Sequence, residues 1–152
     1  MDGQAALRSL QHEYAGMPPV AAMQVRVGDY RDGQLWLSAP LAANVNDKGT
    51  AFGGSLTSLM TLAGWGLVAL QLRRADIDAE IYVADSQIRY LAPLRDDLHA
   101  SAGLEDGQSW DEFLRTLAQR GRARVQVRAQ VTLPGGDVAT TMTGRFVALA
   151  KG

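Results

Sequence analysis

From Ala51 to Leu72 the chain carries no charged side chain, and this run limits the fold more than any other feature. Leu56, Leu59, Met60, Ala63, Leu67 and Leu70 recur at three- and four-residue steps, which is helical spacing. Leu62, Trp65, Val68 and Leu72 occupy the other faces, so the helix is apolar nearly all round. Such a helix is buried on most sides rather than laid on a surface. The run is long enough to span a bilayer. It is interrupted, however, by Gly53, Gly54, Gly64 and Gly66 and by Ser55, Thr57, Ser58, Thr61 and Gln71. Lys48 before it and Arg73-Arg74 after it give no inside–outside bias. A central helix of a soluble domain is the better reading, with no membrane partner. In a chain of 152 residues the remainder must wrap it.

Composition narrows the function classes. The net charge of −1 leaves no basic footprint for nucleic acid. The absence of cysteine removes disulfides, thiolate metal sites and a cysteine nucleophile. No group of histidines or carboxylates has ligand spacing, so no metal is expected. No charged-then-apolar signal opens the sequence, and a cytoplasmic protein is expected. One domain over residues 1–152 is the natural size for such a chain.

Around the central helix, expected over 51–74, the other elements read as follows. Leu7, Leu10 and Tyr14 share a helical face within an N-terminal helix over 1–17, stopped by Gly16 and Pro18-Pro19. Met23, Val25 and Val27 alternate into a strand, Asp32-Gly33 turns the chain, and Leu35 and Leu37 begin the return. Glu80 to Leu91 reads as a long strand closed by Pro93. Neither of its faces is purely apolar, which suggests that one meets a partner subunit or a ligand. Leu98 to Leu104 is a shorter strand. Ser109 and Glu112 fit a capping box ahead of a short helix carrying Trp110, Phe113, Leu114 and Leu117, and Gly121 suits its C-terminus. Arg122 to Leu133 alternates cleanly, Pro134 to Asp137 is a turn, and Val138 to Ala150 is the last strand. With few crossover helices the sheet should be antiparallel, giving an α+β chain whose sheet curls around one buried helix.

The helix entrance reads N-x-x-G-x-x-F-G-G through Asn46, Gly49, Phe52, Gly53 and Gly54. This resembles the N-x-x-G-x-x-H-G-G signature of phenylacetyl-CoA-type hot-dog thioesterases. Together, GTAFGGSL, L-A-G-W-G (Leu62 to Gly66) and D-x-x-I-R-Y-L-x-P (Asp85 to Pro93) more closely resemble the YiiD C-terminal-domain family of putative thioesterases. The likeness extends from about Pro18 to Ala150. It implies a hot-dog fold and an assembly that is a homodimer or a dimer of dimers, joined edge to edge through the Glu80–Leu91 strand. The substrate implied is an acyl thioester of coenzyme A or an acyl carrier protein, with no cofactor beyond that carrier.

Thioester hydrolysis builds negative charge on the carbonyl oxygen, and backbone N–H groups at a helix N-terminus are ready donors for it. Phe52, Gly53, Gly54 and Ser55 are therefore the expected substrate-binding residues. Phe52 stands at the histidine of the signature and Thr61 at its helix carboxylate, and the central helix has no Asp or Glu. The two histidines, His12 and His99, lie off the entrance loop, so dehydration is not expected. Water activation is assigned to Asp85, with Asn46 and Thr61 assisting. Asp85 breaks an apolar strand, and a half-buried strand carboxylate needs a reason to be there. It can equally be a structural partner of Arg89 or of a loop. Asn46 can orient water or shape a turn, Asp47 can be an adjacent solvated acid, and Thr61 can bond its own backbone. Ser55 is not in a nucleophile elbow; capping of the helix N-terminus or a polar wall of the site is the role expected of its side chain. Arg122, Arg124 and Arg128 form a basic stripe that is either a solvated sheet face or an attraction for coenzyme A phosphates. The expected activity is thioester hydrolysis; a non-catalytic acyl-thioester-binding module is the alternative.

Overall fold

The computed structural model describes residues 1–152. Its elements run α1 (Gly3–Ala15), α2 (Pro18–Met23), β1 (Arg26–Arg31), β2 (Gln34–Ala39), α3 (Gly53–Arg74), β3 (Ala79–Tyr90), β4 (Leu98–Leu104), α4 (Trp110–Arg120), β5 (Arg122–Thr132) and β6 (Val138–Ala150). The six strands form one sheet in the order β1-β2-β4-β5-β6-β3, and every neighbouring pair is antiparallel. The sheet wraps α3, as the apolar run requires. Leu59, Met60, Ala63 and Leu67 are buried in its concavity with Val127, Val131, Phe146 and Ala148 of the sheet.

The other side of α3 is covered by α1, which buries Ala6, Leu10 and Tyr14. Two glycines in the centre of α3 make this layering possible. A Cβ on Gly64 would stand 2.7 Å from the ring of Phe146 in β6. A Cβ on Gly66 would overlap the Tyr14 hydroxyl and lie 3.0 Å from Leu10 and Leu35. One glycine thus admits a strand and the other admits α1. The Tyr14 phenol donates to the carbonyl oxygen of Leu62 at 2.5 Å. Burial pushes its pKa far above the ordinary tyrosine value; the charge of Glu13 adds to the rise and Arg73 opposes it.

Several boundaries differ from the sequence reading. Pro18-Pro19 stops α1 but also opens the six-residue α2, because proline is preorganised for the first turn of a helix. Met23 consequently ends a helix rather than starting a strand. Ala51 pairs with Val45 in an isolated bridge and Phe52 is the N-cap, so α3 starts at Gly53 rather than at 51. The β1–β2 turn is as expected: Asp32 (φ 51°) and Gly33 (φ 73°) both take the left-handed conformation of a two-residue hairpin. Ser109 accepts a bond from the Glu112 amide at 3.2 Å, and Gly121 closes α4 at φ 74°.

The mixed faces of β3 have a local cause. Val83 pairs with Phe146 and Asp85 with Arg145, leaving Ala84 as an extra residue in a bulge. Before the bulge, Ile81 and Val83 share the side of Ala148 and Phe146, which face α3. After it, Ile88 and Tyr90 share the side of the buried Met142 and Thr140. Asp85, Gln87 and Arg89 therefore point to the outer face of the sheet.

Candidate active site

The entrance of α3 is built by a small knot of chain. Phe52 N–H donates to the Asn44 carbonyl at 2.7 Å and Asn46 N–H to the Thr50 carbonyl at 2.8 Å. Ala51 N–H donates to the Leu94 carbonyl at 2.8 Å, tying the knot to the chain that leaves β3. Asn44, buried, donates from Nδ2 to the carbonyls of Met23 (3.0 Å) and Pro40 (2.8 Å). Inside the knot, Asn46 Oδ1 accepts from the amides of Lys48 (2.8 Å) and Thr50 (3.0 Å), and its Nδ2 donates to Thr50 Oγ1 at 2.8 Å. The Asn46 amide thus shapes the loop, as Asx residues commonly do. Asp47 is exposed and pairs with Lys48 at 3.0 Å.

This knot delivers the first turn of a 22-residue helix with no side chain capping it. The first helical bond runs from Leu56 N–H to the Phe52 carbonyl. The amides of Gly53, Gly54 and Ser55 have no acceptor within the chain. Three aligned donors at the positive end of a long helix can receive an anion or a developing oxyanion. Two half-exposed aromatic rings flank them. The Phe52 ring lies against Gly54, where a Cβ would come within 2.5 Å of it, and Tyr90 lies 3.5 Å from the Cβ position of Gly53. Phe52 and Tyr90 are 55% and 58% exposed, large values for rings of this size. Ser55 is buried and contributes its amide to the turn.

The other residues assigned to the reaction are not gathered here. Thr61 lies two helical turns on, about 12 Å along the axis from Gly53. Its hydroxyl donates to the Thr57 carbonyl at 2.8 Å and touches Met142 Sδ at 3.7 Å. Asp85 was expected to be half-buried against α3; its side chain is 61% exposed and on the opposite face of the sheet. It holds Arg145 with both oxygens, Nε to Oδ1 at 3.1 Å and Nη2 to Oδ2 closer still. The hydrogen bond to Asp85, then its charge, raises the Arg145 pKa above its ordinary value. The structural partner of Asp85 is thus Arg145, not Arg89. The physical reason is the bulge at Ala84, which turns Asp85 outward.

A cleft of about 530 Å³ lies beside this ion pair, with Gln87, Glu105, Gln126 and Thr143 in its walls. It has no apolar side chain and is unsuited to an acyl group. Arg122, Arg124 and Arg128 are exposed on the same outer face, away from the helix entrance, and Arg128 pairs with Asp106 at 3.6 Å. Two residues at the entrance escaped the sequence reading, Tyr90 and Thr57. Tyr90 Oη lies 2.6 Å from Thr57 Oγ1 and donates to the Gly53 carbonyl at 3.1 Å.

Residues 7–150 match the family model described as putative thioesterase, YiiD C-terminal. The chain belongs to that family. A solved putative thioesterase from Shewanella oneidensis is 32% identical, with TM-score 0.85 over 96% of this chain and 99% of that one. A protein of unknown function from Chlorobaculum tepidum superposes at TM-score 0.89 with 26% identity, covering 97% and 96% of the two chains. A Pseudomonas aeruginosa protein described as a probable thioesterase shares the fold at TM-score 0.79 and 21% identity, over 95% of each chain. The family assignment and the sheet wrapped on α3 agree with the hot-dog fold expected of the sequence.

Proposed function

We propose that this protein hydrolyses an acyl thioester, carried by coenzyme A or by an acyl carrier protein, at the N-terminus of α3. The observation that supports this most directly is the set of three unpaired amides at Gly53, Gly54 and Ser55. They are placed where a thioester carbonyl can be received and its charge stabilised as water adds to the carbon. Phe52 and Tyr90 supply apolar surface beside the carbonyl for the acyl group or the thiol arm. The reaction needs no metal and no cofactor other than the carrier itself.

We further propose that the working form is a homodimer, or a dimer of such dimers, joined through β3. Only one side of this 12-residue strand is paired, with β6, and it bears the exposed Tyr82, Val83 and Tyr90, with Leu91 following. A long edge with exposed apolar side chains is an aggregation hazard unless a partner covers it. Antiparallel addition of a second β3 would cover it and bring a second protomer near the helix entrance.

The alternative is a module that binds acyl thioesters without turning them over. It is favoured by one specific observation: Asp85, the carboxylate expected to activate water, is committed to Arg145 on the other face of the sheet. A panel of acyl-CoAs spanning short, long and aromatic acyl groups, followed by thiol release, tests both readings. Turnover on any member supports hydrolysis. Saturable binding without thiol release across the panel replaces it with the binding module. Localisation in the cytoplasm is part of the same proposal, since coenzyme A thioesters are made and used there.

A further inference from the structure

We propose that Tyr90 is a positioning residue that polarises the oxyanion donor at Gly54, working through the peptide unit between Gly53 and Gly54. The inference rests on the hydrolase reading above and extends it to a residue outside the expected set.

The geometry leads there in three steps. Tyr90 Oη has a single proton, and it goes to the Gly53 carbonyl at 3.1 Å. Either hydroxyl can donate across the 2.6 Å contact with Thr57, and the arrangement that serves both contacts of Tyr90 has Thr57 donating to it. This orders a chain: Thr57 hydroxyl, Tyr90 hydroxyl, Gly53 carbonyl. The Gly53 carbonyl and the Gly54 N–H belong to one planar trans peptide, with the oxygen and the proton on opposite sides. A donor pulling electron density toward the Gly53 oxygen makes the Gly54 proton more positive. A chain of hydrogen bonds strengthens each member in this way. The Gly54 amide has no acceptor in the protein and points out of the helix end, so the strengthened donor is the one offered to the thioester oxygen.

A purely structural reading of Tyr90 would be a clamp between β3 and α3. The ring already does that, packing 3.5 Å from the Cβ position of Gly53, without need of its hydroxyl. The half-exposed hydroxyl gains little stability from a bond that water could replace. What it does add is direction and charge on one peptide at the site.

Tyr90→Phe keeps the ring and removes only the oxygen, and Thr57→Val removes the outer member of the chain. Two measurements decide. In steady-state hydrolysis of the best acyl-CoA found in the panel, Tyr90→Phe should lower kcat by about 5- to 30-fold with KM nearly unchanged, below the roughly 10²–10³-fold cost of deleting an oxyanion donor outright. Thr57→Val should act in the same direction with a smaller effect. In isotope-labelled protein without substrate, Tyr90→Phe should shift the Gly53 carbonyl carbon and the Gly54 amide proton upfield, and glycines elsewhere should not move. Unchanged Gly53 and Gly54 resonances overturn the proposal whether or not hydrolysis is seen. An unchanged kcat, or a loss confined to KM, in an active protein overturns it as well. Absence of turnover in the unaltered protein would instead overturn the hydrolase reading, while the resonances still decide whether Tyr90 polarises the Gly54 amide.

Discussion

Gly66→Ala places two ordinary rules in opposition. Gly66 lies in the middle of α3, where replacing glycine by alanine gains about 1 kcal/mol of helix propensity. Against this, the new Cβ would overlap the Tyr14 hydroxyl and stand 3.0 Å from Leu10 Cδ2 and Leu35 Cδ2. Tyr14, Leu10 and Leu35 are all 0% exposed, so none can swing into solvent. Overpacking of a closed site costs about 1–3 kcal/mol. Moving the phenol also breaks its 2.5 Å bond to the Leu62 carbonyl, leaving buried polar groups unpaired at a cost of about 1–3 kcal/mol. The net expectation is destabilisation by roughly 3 kcal/mol, despite the better helix former. The Tyr14→Phe background isolates the cause. There the hydroxyl and its bond are already gone, so Gly66→Ala should cost only about 0–2 kcal/mol and the cycle should show a coupling of about 1–3 kcal/mol. Urea unfolding of the four proteins at one fixed protomer concentration, followed by tryptophan fluorescence, gives all the terms. A stabilised Gly66→Ala protein, or additivity within about 0.5 kcal/mol, would refute the reasoning.

Three other outcomes are expected. Tyr14 keeps its proton in the folded protein well above the pH at which it titrates when unfolded, because burial raises its pKa. Its contribution to stability is therefore fully present below about pH 10 and falls above that by about 1.4 kcal/mol per unit; urea midpoints between pH 8 and 11 should fall more steeply for the native protein than for Tyr14→Phe, and parallel curves would refute this. Val83→Lys puts a charge on the exposed edge of β3 and should convert the proposed dimer to monomer at micromolar concentration in light scattering; an unchanged dimer would remove this edge from the interface. Asp85→Asn should leave turnover close to that of the unaltered protein, since its carboxylate is bound to Arg145 on the far face of the sheet. A loss of about 10²–10⁴-fold with an intact fold would instead establish Asp85 as the general base.

Much of the architecture was legible because it follows from short-range rules. The uncharged run of α3 demanded a wrapping sheet, and the alternation of Ala123, Val125, Val127, Ala129 and Val131 supplied a central strand of it, all five buried as expected. Gly121 and the Asp32-Gly33 turn were readable because each needs a positive φ. Less legible were features in which one residue serves two neighbours. Pro18-Pro19 reads as a stop for α1, yet the same fixed φ that ends one helix suits the start of the next. Asn46 lies in a catalytic-looking signature, but its three side-chain bonds within residues 46–50 become visible only once the loop closes on itself.

The candidate site turned on a single extra residue. Strict alternation along β3 groups Ile81, Val83 and Asp85 on one face, which makes Asp85 a carboxylate set among apolar neighbours and so a candidate base. The chain in fact changes phase at Ala84. Ile81 and Val83 face the helix from odd positions and Ile88 and Tyr90 from even ones, so the bulge sends Asp85 outward and brings Tyr90 in to Gly53. The sequence carried a trace of this. The β-branched residues move from odd positions (Ile81, Val83) to an even one (Ile88) within one strand, the shift a one-residue bulge produces, but Tyr82 and Ala84 at even positions mask it. The mixed faces were read as a surface awaiting a partner or ligand; the phase change accounts for the order of inward and outward residues and leaves Tyr82, Val83, Tyr90 and Leu91 exposed for such a surface. It also exchanges the two candidates: the carboxylate that alternation placed at the site is held by Arg145, and the phenol it placed among mixed neighbours lies against the helix entrance.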